Sequence, residues 1–135
     1  MEQAVMEWVC AGWDDMSCAV LREQELPLDE IKRLLKNTYL VLTDYHKDAC
    51  VPKEVCKILL NMNDFVSYAV LMEDRDEVPA GFYHFEDIFL IIEAMKNGFF
   101  AGSYSYQYPK LEVRDHASHA YVVDLISGSL EQLDV

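Results

Sequence analysis

The sequence predicts an α+β fold in one small domain, residues 1–135, with about three helices packed on one face of an antiparallel sheet. Three observations carry that expectation. A chain of 135 residues that is 52% hydrophobic, with only five Gly and four Pro, can bury a core of its own and is not a disordered chain. Apolar residues at helical spacing are concentrated between Pro27 and Gly98. The last third turns to alternating patterns rich in β-branched and aromatic residues.

Taken in order, residues 3–11 and 17–24 are apolar, β-tolerant stretches on either side of "GWDDMS", which carries turn chemistry. That arrangement predicts an N-terminal β-hairpin. "LPLDEIKRLLKN" predicts a short amphipathic helix. Pro27 suits its first position, Asp29 and Glu30 complement its positive start, and Leu28, Ile31, Leu34 and Leu35 form its apolar stripe. "TYLVLTDY", residues 38–45, is compatible with a buried strand or a helical continuation, and periodicity alone leaves both open. A second helix starts at Pro52 and keeps helical spacing through Val55, Ile58, Leu59, Met62, Val66, Ala69 and Met72. Asn63-Asp64 is a point where it could divide, and residues 65–72 likewise stay open between helix and strand.

The third helix is expected over 84–97, where Phe85, Ile88, Phe89, Ile92 and Met95 trace one face. Gly98 is placed to end it in the left-handed conformation. "FFAGSYSYQY" then alternates as a strand that Pro109 closes, "LEVR" is a short strand, and "HAYVVDLISGSLEQLDV" reads as two strands joined through Ser127-Gly128. The predicted sheet is therefore a C-terminal meander.

Charge is the strongest global signal: 24 acids against 11 bases, a formal net of −13. It is uneven. Residues 1–15 carry four acids and no base, and residues 61–95 carry eight acids against Arg75 alone. Such a surface repels phosphate backbones and anionic membranes and attracts basic partners, so direct nucleic-acid binding and membrane binding are not expected. No run of apolar residues reaches the roughly 18 needed for a membrane span, and the N-terminus lacks the basic start of a secretory signal. A cytoplasmic protein is expected, with Cys10, Cys18, Cys50 and Cys56 reduced and mostly buried.

No phosphate-binding loop, nucleophile elbow or zinc-protease motif is present, and no cofactor is expected. The sharpest feature is the cluster Glu73, Asp74, Asp76 and Glu77, four acids within five residues that a basic groove could take as it takes phosphates. Tyr104, Tyr106 and Tyr108 would share one strand face, and with only Lys96, Lys110 and Arg114 nearby that face suits protein better than bases. These seven residues are the expected partner-binding set. The function expected is non-enzymatic: a small acidic protein presenting acidic and aromatic surface to a basic protein partner, itself a nucleic-acid-binding protein in the most specific version. That version is an inhibitor that mimics nucleic acid, as anti-restriction and anti-CRISPR proteins do. Two alternatives stand beside it. One is a small metal-dependent or acid/base enzyme using His84, Glu86, His116 and His119, with zinc or iron as the chemical candidates. The other is a structural subunit or adaptor of a homo- or hetero-oligomer.

Overall fold

In the computed structural model the described residues are 2–22, 28–71, 85–101, 110–114, 120–124 and 129–132. They contain four helices: α1 (Gln3–Leu21), α2 (Leu28–Tyr45), α3 (Lys53–Leu71) and α4 (Phe85–Ala101). Three short strands follow, β1 (Lys110–Arg114), β2 (Ala120–Asp124) and β3 (Ser129–Gln132), paired antiparallel in that order. Lys110 pairs with Asp124 and Asp124 with Ser129, and β1 is the strand next to α4.

This corrects the α+β expectation. Among the residues whose burial is described, every buried hydrophobic residue lies on a helix. Among these residues, helix packed on helix makes the core.

The expected N-terminal hairpin is α1, a continuous helix of 19 residues through "GWDDMS". Met6, Val9, Cys10, Trp13, Met16, Ser17 and Val20 are buried at spacings of three and four, the stripe a helix needs to enter a core. Gly12, a turn signal in the sequence, sits instead where α1 crosses α2. A Cβ there would lie 2.6 Å from Leu34 Cδ1, so the glycine permits the close approach.

α2 continues through "TYLVLTDY" as helix. Its buried threonines keep their hydroxyls satisfied on the preceding turn, with Thr38 Oγ1 donating to the Leu34 carbonyl and Thr43 Oγ1 to that of Tyr39, both at 2.6 Å. α3 runs uninterrupted past Asn63-Asp64 to Leu71 and buries Val55, Ile58, Met62 and Phe65. α4 does not stop at Gly98, which is buried within it. Phe99 and Phe100 are therefore helical: Phe99 packs into the core and Phe100 points outward.

Trp13 joins three helices. It is fully buried on α1, its indole N–H donates to Thr38 Oγ1 on α2 at 2.9 Å, and its ring meets that of Phe65 on α3 edge to face at 5.5 Å. α1 and α3 run parallel. Gln3 bonds Glu54, Asn61 bonds the Cys10 carbonyl, and Trp13 meets Phe65, so contacts advance together along both helices. Lys96 ties α4 to α3 by donating to Asn63 Oδ1 at 2.6 Å, and pairs with Glu93 on its own helix at 3.0 Å.

Candidate functional site on the outer face of α1

The core stripe of α1 fixes which of its residues face water. Ala4, Glu7, Trp8, Ala11, Asp14, Asp15 and Cys18 are all exposed. With 100° per residue and 1.5 Å rise, Trp8 and Asp15 share nearly one direction about 10 Å apart, and Glu7 and Asp14 share another, about 100–120° round the helix at the far edge of the exposed arc. The two alanines lie one turn to either side of Trp8. The face thus offers an aromatic and three carboxylates. α1 contains no lysine or arginine.

Trp8 is 41% exposed despite its size. One cation of the chain does reach it from α2: the Arg33 guanidinium carbon stands 5.3 Å from the ring centroid, within cation–π range. At the start of α1, Gln3 Nε2 donates to Glu54 Oε1 at 2.6 Å and to Glu7 Oε1 at 3.3 Å. The bond from Gln3 holds the Glu54 carboxyl below the usual carboxylate range.

Of the four cysteines, all free thiols, Cys10 alone is buried; Cys18, Cys50 and Cys56 are exposed, which corrects the expectation of mostly buried thiols. Cys10 Sγ donates to the Glu54 carbonyl at 3.4 Å, and burial raises its pKa against the opposing pull of Lys57. His46 is buried just after α2, its Nδ1 at 2.5 Å from the Thr43 carbonyl oxygen. A carbonyl only accepts, so Nδ1 carries the hydrogen.

Glu73, Asp74, Asp76 and Glu77 fall in 72–84, and Tyr104, Tyr106 and Tyr108 in 102–109, both outside the described residues. His84, His116 and His119 lie outside them as well, while Glu86 is placed in the first turn of α4. Among the described residues, no three His, Cys, Asp or Glu side chains come together as a metal site would require. No helix among them is long and apolar enough to cross a membrane.

Sequence reasoning missed Trp8. With residues 3–11 taken as strand, Trp8 falls among inward and outward residues alike. Taken at helical period, Met6, Val9, Cys10 and Trp13 make the buried stripe and leave Trp8 outside it. No protein-family model matches this chain, and neither a curated protein nor a solved structure matches it.

Proposed function

We propose that this is a small, non-enzymatic binding protein of the cytoplasm that presents acidic and aromatic surface to a basic protein partner. Its most specific form is an inhibitor that occupies a groove otherwise used for nucleic acid. The observation that supports the reading is the exposed face of α1, with Glu7, Asp14, Asp15 and Trp8 and no base on the helix, in a chain of net charge −13. Carboxylates displayed along a rigid helix attract a cationic groove and speed the encounter, and an exposed tryptophan supplies the contact area that charge alone lacks. Glu73, Asp74, Asp76, Glu77 and the tyrosines Tyr104, Tyr106 and Tyr108 belong to the same proposal as further acidic and aromatic contacts.

The test is capture from native cytosol on the immobilised protein, with bound proteins identified and then challenged with double-stranded DNA. The reading expects a basic nucleic-acid-binding protein that DNA displaces, that moderate salt weakens, and that the D74K/D76K/E77K variant no longer retains. Retention no better than on an equally acidic control protein, or retention indifferent to the charge reversal, would refute it.

A further inference from the structure

We propose that Trp8 is the anchor of the partner-binding surface, that it takes an arginine of the basic partner on its indole face, and that Arg33 occupies that face until the partner arrives. The inference rests on the preceding reading and names the residue and the side-chain chemistry that carry it. Two observations lead to it. Trp8 is 41% exposed, flanked by Ala4 and Ala11, and shares its helix face with Glu7, Asp14 and Asp15 and with no base. Independently, a guanidinium is already seated at this ring: Arg33, itself exposed, places its carbon 5.3 Å from the centroid.

The chemistry follows from that geometry. A guanidinium is planar, always charged and weakly hydrated, so it stacks on an indole more readily than an ammonium does. The three carboxylates of α1 add charge complementarity for the remaining cations of a basic segment. Arg33 comes from α2, not from the acidic helix, and its exposed side chain can leave the ring without opening the core. In the free protein it shields the indole from water. In the complex, an incoming arginine flanked by further cations gains both the ring and the carboxylates, so it displaces a single competing arginine. The occupant is an arginine-bearing basic segment of a protein.

The experiment titrates the 135-residue chain with a nona-arginine peptide at low salt, and with nona-lysine for comparison. Tryptophan emission reports on the site, because Trp13 is fully buried and Trp8 is the other of the two tryptophans. Nona-arginine is expected to shift the emission of Trp8 and to bind more tightly than nona-lysine. Trp8→Ala should weaken nona-arginine about two- to fivefold, the range of an exposed cation–π contact. Arg33→Gln should tighten it by a similar factor, and by more than Lys36→Gln, which removes the same charge from another exposed site of α2. Equal effects of Arg33→Gln and Lys36→Gln, or Trp8 emission unmoved by a bound peptide, would overturn the proposal and leave the acidic-binding reading standing. A nona-arginine peptide that does not bind at low salt would sink both.

Discussion

The Trp13–Thr38 hydrogen bond gives the sharpest test of how this core is held together. Both residues are fully buried, and the bond of 2.9 Å is a direct polar link from α1 to α2. Thr38→Val keeps the shape of the side chain and so changes the packing little. The Leu34 carbonyl loses the threonine hydroxyl but keeps the backbone bond of the helix. The indole N–H, in contrast, is left without an acceptor in a dry interior, which costs about 1–3 kcal/mol. For a chain of 135 residues the entropy of unfolding is about 0.28 kcal/mol/K, so a loss of about 2 kcal/mol lowers the Tm by roughly 7 °C. Trp13→Phe removes the donor and part of the ring, and Thr38 still donates to Leu34. In that background Thr38→Val should cost under about 0.5 kcal/mol, because no indole N–H remains to be orphaned. The four proteins form a double-mutant cycle, read by urea unfolding followed at a helical circular-dichroism band. The expected coupling is about 1.5 kcal/mol. A cost for Thr38→Val that is the same in both backgrounds would refute the reasoning.

Four further outcomes follow from the geometry. Gly12→Ala should gain up to about 1 kcal/mol of helix propensity but lose more to overpacking against Leu34, giving a net loss of about 1 kcal/mol in denaturant unfolding; a stabilised variant would show that the crossing has room. A thiol-reactive chromogen should label Cys18, Cys50 and Cys56 quickly and Cys10 only once the fold opens, and fast labelling of four thiols would contradict the placement of Cys10. Because burial raises the Cys10 pKa above its ordinary 9.0, its contribution to stability is full below that value and is lost as pH rises through the higher folded value, so alkaline unfolding should ease in wild type relative to Cys10→Ala. Gln3→Ala should return the Glu54 carboxyl upward toward its ordinary range in an NMR titration; since that carboxyl is held low, its contribution is present at neutral pH and fades as pH falls through the carboxylate range.

Much of the helical core was legible from spacing. Leu34, Ile58, Ile88, Ile92 and Met95 lie on stripes that the sequence displays, and all are buried. The misreadings have one physical origin: local turn and strand chemistry was weighed without the tertiary contact that overrides it. "GWDD" carries turn residues, yet Gly12 is there for Leu34, a partner 22 residues away that no local pattern reveals. For "TYLVLTDY" the sequence leaves strand and helix open, and the structure decides for helix: Thr38 and Thr43 turn their hydroxyls onto their own helix and so cost it little. Gly98 looks like a helix stop. The helix continues past it because Phe99 gains more by entering the core than the glycine costs, about 1 kcal/mol relative to alanine.

The acidic character was plain in the composition, but its placement on α1 required the fold. Asp14 and Asp15 sit in the middle of a helix, where each is less favourable than alanine by up to about 0.7 kcal/mol. They are too far from the first turn to gain from the helix dipole. They are exposed, so the core does not need them. Trp8 leaves 41% of its surface in water on the same face, when a lysine or glutamate there would serve solubility and helix formation better. A helix whose buried side is well packed and whose outer side departs from what stability favours has an outer side shaped by something other than folding. In the proposed function, a cationic partner meeting Trp8 and these carboxylates would supply that other requirement, because it would convert each of the unfavourable choices into a contact.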